Sequence, residues 1–170
     1  IDGVALLAVM GEYRTDLKIP ANDIIMQVEP LHELLIPINK HGKNNKDVSN
    51  YINEVFASDD LIIYFPAGLC SRESKGVLMD PEWKKTVVSK SKAFQRDIIP
   101  VFFDGRNTEL FYRIARWRKR LGIKFNIEML FLPSEVFRHK GEQFNIIFGK
   151  PISYQTFDKS KTDYEWTAWL

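Results

Sequence analysis

One stretch, Asp60–Arg72 (D-L-I-I-Y-F-P-A-G-L-C-S-R), limits most strongly what this chain can fold into. Leu61 to Phe65 is an unbroken apolar run, which suits a strand covered on both faces, as in a parallel sheet flanked by helices. Pro66 lacks a ladder donor, and Gly68 lets the backbone turn sharply or approach a ligand closely, so the strand ends there. Ser71 and Arg72 then place a hydroxyl and a permanent cation just past the strand's carboxyl end, where open α/β sheets bind their ligands. The stretch reads as one wall of an active site; a plain strand followed by a solvated turn is the competing reading.

Around it, helical and extended patterns alternate. Asp2 suits the N-cap of a helix over Val4 to about Gly11, because its carboxylate accepts from free first-turn N–H groups. Leu17–Ala21 and Ile36–Asn39 read as short strands. Between them lies a helical stretch, Ile24 to about Leu35, interrupted by Pro30. From Asp47, the residues Val48, Tyr51, Ile52, Val55 and Phe56 recur at helical spacing. Residues 73–79 read as loop. Asp80-Pro81 signals a helix running to about Gln95, with Trp83, Val87, Val88 and Phe94 inward. Ile98–Phe103 is the next strand, a helix covers about Glu109–Leu121 and stops at Gly122, and 125–132 is open between helix and strand. Lys140-Gly141-Glu142 makes a turn, Phe144–Phe148 a strand and Asp163–Leu170 a helix. The alternation predicts one α/β domain over residues 1–170, with a mostly parallel central sheet flanked by helices. The runs at Leu61, Ile98 and Phe144 are expected in one sheet, with the helices from Asp47 and Pro81 against it.

Composition excludes few partners. The 170 residues are 45% hydrophobic and 27% charged, enough apolar content for a real core, and the net charge of +2 carries no information about ligands. A single cysteine, Cys70, rules out an internal disulfide and fits a reducing compartment. No apolar run approaches the roughly 18 residues of a membrane span, and no nucleic-acid motif is present. Ile1 falls inside an apolar pattern, so the chain reads as part of a longer protein.

Phe65-Pro66-Ala67-Gly68-Leu69-Cys70-Ser71-Arg72 resembles the F-P-E-G-T-R-S block of the glycerolipid (lysophospholipid) acyltransferases, and most closely a bacterial, hemolysin-like branch that carries F-P-A-G there. Other blocks follow in order. Ile36-Pro37-Ile38-Asn39-Lys40-His41-Gly42 is similar to the second block, whose basic residue contacts acceptor phosphate, with Lys40 the matching cation. Ile98-Ile99-Pro100-Val101, then Gly105-Arg106-Asn107, is similar to the fourth, and Gly149-Lys150-Pro151-Ile152 to a downstream G-x-P-I element. The resemblance implies acyl transfer from an acyl carrier protein or coenzyme A thioester to the hydroxyl of a lyso-lipid, either lysophosphatidic acid-like or an N-acyl amino-acid lipid. It implies a His-Asp general base in which Asp2 is the aspartate and the histidine lies just upstream of Ile1. Substrate-binding roles fall on Lys40, Phe65, Pro66, Gly68, Ser71 and Arg72, and no metal or resident cofactor is expected, the thioester being a co-substrate. The implied setting is the cytoplasmic face of the cell membrane, with an anionic lipid surface as partner and no nucleic acid.

The chemistry is self-consistent. Transfer from a thioester needs a base on the hydroxyl, donors for the tetrahedral oxyanion and an apolar slot for the chain. Asp2, Lys40, Gly68 and Arg72 are therefore expected to converge on one cleft that continues into an apolar channel. The helix after Arg106 invites two readings. Leu110, Ile114, Trp117 and Leu121 share one face beside Arg113, Arg116 and Arg120, which suits either a core-facing helix with a charged exterior or an interfacial helix on anionic lipid. The rival function is a non-catalytic lipid- or membrane-binding module of the same fold.

Overall fold

The computed structural model describes residues 2–21, 29–38, 45–74 and 76–170. Helix α1 (Asp2–Gly11) leads into β1 (Leu17–Ala21); a 3-10 turn over Glu29–Leu34 feeds β2 (Leu35–Pro37). Helix α2 (Asn45–Ala57) leads into β3 (Leu61–Ile62). These strands form a parallel sheet in the order β2-β1-β3, with Ile19 opposite Leu35 and Leu17 opposite Leu61. Alternate residues of β1 are buried, Ile19 and Ala21 meeting Leu35, and the α1 residue Leu7 packs on them with Ile63 and Phe65. Arg96 ties the α2–β3 connection down by donating to the carbonyls of Phe56, Ser58 and Asp60. The α/β class and the parallel sheet hold.

Several local expectations do not. β3 is an edge strand whose ladder reaches only to the Ile63 N–H on Lys18 C=O (2.9 Å), and Leu61–Phe65 is half-buried where burial on both faces is expected. The runs at Leu61, Ile98 and Phe144 do not share one sheet. Instead, β6 (Val101–Phe103) pairs antiparallel with β7 (Ile146–Phe148), and Ile98 bridges Ile152. Pro66 follows β3 and Pro100 precedes β6, and neither can donate to a ladder. Residues 73–79, read as loop, form an antiparallel hairpin of β4 (Arg72–Ser74) and β5 (Val77–Met79). The helix expected from Pro81 begins later, as α3 (Thr86–Phe94). Asp80 is not its cap, because its carboxylate accepts the Ser71 hydroxyl at 2.6 Å.

The C-terminal half contains α4 (Glu109–Arg120), a 3-10 turn over Ile127–Phe131, α5 (Leu132–Arg138) and α6 (Asp163–Trp169). A second core joins Val88 of α3 to Phe157 and Trp166. Helix α6 opens on a capping box, Thr162 and Glu165 each satisfying the other's backbone N–H. Among the described residues, no helix is long and apolar enough to cross a membrane.

Candidate active site

The loop after β3 is built by its turn residues. Pro66 sets the second position of a turn closed by the Gly68 N–H on Phe65 C=O at 3.0 Å. Gly68 itself has φ 67°, in the left-handed region, which favours glycine; the Lys84 ammonium end lies close by, 2.9 Å from where a Cβ would sit. A second loop, 104–108, follows β6. Gly105 lets it pass under the rings of Phe103 and Phe144; a Cβ would collide with Phe103 and lie 2.9 Å from Phe144.

Between these loops lies an open cavity of about 80 Å³, lined by Asp2, Phe65, Pro66, Ser71, Asp80 and Trp83 on one side of the sequence and by Phe103, Arg106, Asn107 and Tyr112 on the other. Of the expected site residues, the structure brings Asp2, Phe65, Pro66 and Ser71 together here. Gly68 and Arg72 belong to the same loop but not to the lining. Lys40 and His41 lie outside the described residues. The cavity is small beside ligand pockets of roughly 300–1,000 Å³, with room for a small group; the expected apolar channel for a chain is not part of it.

Asp2 is the first residue of α1 and lines the cavity; its Oδ1 accepts the adjacent Gly3 N–H at 2.8 Å, which is not the N2 or N3 bond of an N-cap. The Cys70 thiol is pushed up from its ordinary value, first by burial and then by the Asp2 carboxylate, against a smaller opposing pull from Arg72. It is therefore a protonated thiol at neutral pH and not a primed nucleophile. That Asp2 and Arg72 both act on Cys70 places them on the same part of the molecule.

Arg72 has an unexpected employment. Its Nη1 donates to the carbonyls of Cys70 (2.9 Å) and Ser71 (3.2 Å), its Nη2 meets Glu128 Oε1 at 2.9 Å, and its guanidinium lies 5.4 Å from the centre of the Phe111 ring. Glu128 is 0% exposed, and its other oxygen lies 2.9 Å from Arg118 Nε. A second buried carboxylate, Glu135, accepts the Thr108 N–H at 2.5 Å and the Thr108 hydroxyl at 2.8 Å. Residues 127–138 thus supply one buried glutamate to each cavity loop. Sequence reasoning missed both; a glutamate in an apolar segment (I-E-M-L-F) is the signal that was available. It also missed Asp80, taken for a helix cap, and Trp83, taken for a helix residue facing inward.

These features can be set beside known proteins. A family profile described as acyltransferase matches residues 1–165. The chain belongs to this acyltransferase family. It is 49% identical over 170 residues to a lyso-glycine lipid O-acyltransferase of Bacteroides thetaiotaomicron, covering 99% of this chain and 62% of that protein. It is 46% identical over 170 residues to the lyso-glycine lipid O-acyltransferase of Phocaeicola vulgatus, covering 99% of this chain and 61% of that one. The chain thus spans about three-fifths of the length of these curated relatives. No solved structure matches it. The match holds although the runs at Leu61, Ile98 and Phe144 do not share one sheet.

Proposed function

We propose that the chain is the acyltransferase domain of an enzyme that moves a fatty acyl group from a coenzyme A or acyl carrier protein thioester to the hydroxyl of a lyso-lipid with an N-acylated glycine headgroup. The observation that carries this reading is likeness along the whole chain to two lyso-glycine lipid O-acyltransferases. In the proposed step, a histidine a few residues before Asp2 takes the hydroxyl proton as the oxygen attacks the thioester carbonyl. The tetrahedral intermediate then collapses, the C–S bond breaks, and the thiolate leaves with that proton. Asp2 orients the imidazole and stabilises its cationic form. Its place on the cavity, with Ser71 and Asp80 beside it, supports this role.

We further assign the protein to an anionic membrane surface on the cytoplasmic side. Helix α4 supports this. Its buried residues are Phe111, Tyr112 and Ala115, and the stripe of Leu110, Ile114, Trp117 and Leu121 lies well away from that face on the helical wheel. Trp117 and Leu121 are 62% and 69% exposed, and Arg113 and Arg120 flank them. This favours the interfacial reading over the core-facing one. Arg116 is set apart by its ion pairs with Glu73 and Glu109.

The test follows labelled acyl transfer from each thioester to a lyso-glycine lipid and to lysophosphatidic acid, using the full-length protein and the 170-residue chain. Transfer by the full-length protein to the glycine lipid, and poor transfer by the shorter chain, is expected. Binding of lipid with no transfer to either acceptor would establish the non-catalytic module instead. Full activity of the shorter chain would move the base to a histidine within it.

A further inference from the structure

We propose that Arg106 is the cation that binds the acceptor's headgroup carboxylate, and that Arg72 is a positioning residue that buried Glu128 holds out of the cavity. The inference rests on the acyl-transfer reading above and assigns its headgroup contact.

Arg72 directly follows the residues that fill the family's F-P-E-G-T-R-S block, but its guanidinium is already engaged. It spans the Cys70 and Ser71 carbonyls at 2.9 and 3.2 Å and the Glu128 carboxylate at 2.9 Å, and it does not line the cavity. Turning it towards a ligand would leave a fully buried carboxylate with Arg118 as its one remaining partner and would free two loop carbonyls. A buried charge that loses a partner is strongly disfavoured. What Arg72 does where it sits is fix the backbone that presents the Ser71 hydroxyl.

Arg106 is the opposite case. It is exposed and lines the cavity, and the Glu109 carboxylate, which is ion-paired with Arg116, lies near enough to feel its charge. The loop beneath it is nevertheless firmly held. Asp104 accepts the Asn145 N–H at 2.7 Å, the Asn107 N–H meets the Tyr112 hydroxyl at 3.2 Å, and Thr108 is clamped by Glu135. A guanidinium exposed on a fixed backbone can receive a carboxylate, because the fork of N–H groups matches a carboxylate bidentately. Among the described residues, the other charged groups lining the cavity are Asp2 and Asp80, so Arg106 is the lining cation that an anion would meet.

The experiment uses full-length protein, its R106Q, R106K and R72Q variants, and two acceptors: the lyso-glycine lipid and the same lipid with its carboxylate capped as the methyl ester. Kinetics are run with acceptor and donor varied in turn. Headgroup binding is also followed without turnover, by titrating short-chain N-acylglycine and its methyl ester against tryptophan fluorescence, since Trp83 lines the same cavity. Arg106→Gln should raise KM and Kd for the free carboxylate on the order of tenfold, with kcat little changed and the ester unaffected; Arg106→Lys should recover part of the loss. Arg72→Gln should impair both acceptors alike and lower thermal stability. The proposal is overturned if Arg106→Gln leaves carboxylate affinity unchanged, if Arg72→Gln selectively weakens the free carboxylate, or if Arg106→Gln raises only the donor's KM. A protein that binds the carboxylate through Arg106 without transferring an acyl group would uphold this inference while refuting the enzymatic reading.

Discussion

The cavity's two loops are built from similar parts and use them differently. The first, 65–72, turns on a proline and a left-handed glycine and carries Arg72; the second, 104–108, turns on a glycine under two aromatic rings and carries Arg106. Each is braced by a buried glutamate from residues 127–138. In the first loop the brace acts on the arginine itself, through Glu128. In the second it acts on the neighbouring Thr108, through Glu135, and leaves the arginine side chain free of an ion pair among the described residues. The difference lies in what each guanidinium already holds.

The comparison is most easily broken at Glu128. Glu128→Ala removes the shared partner of two arginines and should destabilise the fold by about 3–5 kcal/mol, measured by urea unfolding. The Arg72→Gln/Glu128→Gln double variant should lose less than the sum of the single variants, because the two residues act as one unit. Strict additivity would mean that the brace is not a unit.

A smaller loss is expected at the second brace. Glu135→Ala leaves the Thr108 N–H and hydroxyl without their acceptor, which should cost about 1–3 kcal/mol. Amide exchange at Arg106 and Asn107 should quicken while that of Cys70 and Ser71 does not. Equal acceleration in both loops would show that the two braces are not separate. Smaller still is Arg106→Gln, an exposed change that should alter folding stability by no more than about 0.5 kcal/mol despite its effect on the headgroup. A large drop would show that Arg106 is structural after all.

The smallest effect is expected at Cys70. Its thiol is held above the ordinary value by burial and by Asp2, so alkylation should be slow at neutral pH and accelerate only above the usual thiol range. Cys70→Ala should retain acyl transfer. Loss of transfer, with a trapped acyl-cysteine in the parent protein, would place a covalent intermediate in the first loop.

Much of this was legible in the sequence, for identifiable reasons. Parallel β1 and β3, helices α2, α4 and α6, and the turn at Phe65–Gly68 follow from periodicity and from the local demands of proline and glycine. The separation of the sheets was not legible, because the pairing of Val101–Phe103 with Ile146–Phe148 joins segments far apart in sequence. The β4–β5 hairpin was hidden because Val77, Leu78 and Met79 are exposed, so no inward pattern marks it. Asp80 was misread because an aspartate before proline signals a helix start, whereas its carboxylate is spent on Ser71 nine residues earlier. In the site, the residues of the apolar strand end were found, but the second loop was named only as part of a motif. Partnerships such as Arg72 with Glu128 span 56 positions, and no local rule anticipates them.

The cavity beside Asp2 is the proposed place of acyl transfer. The most direct measurement is the single-turnover rate of labelled acyl transfer by full-length Asp2→Asn protein, with its thermal stability measured alongside. The amide oxygen can still accept the Gly3 N–H now held at 2.8 Å, so the fold should be unchanged. The rate should fall by at least about 10²-fold, because an amide cannot stabilise the imidazolium formed as the hydroxyl attacks. A folded Asp2→Asn protein that transfers at the parent rate would contradict the account and place the chemistry elsewhere.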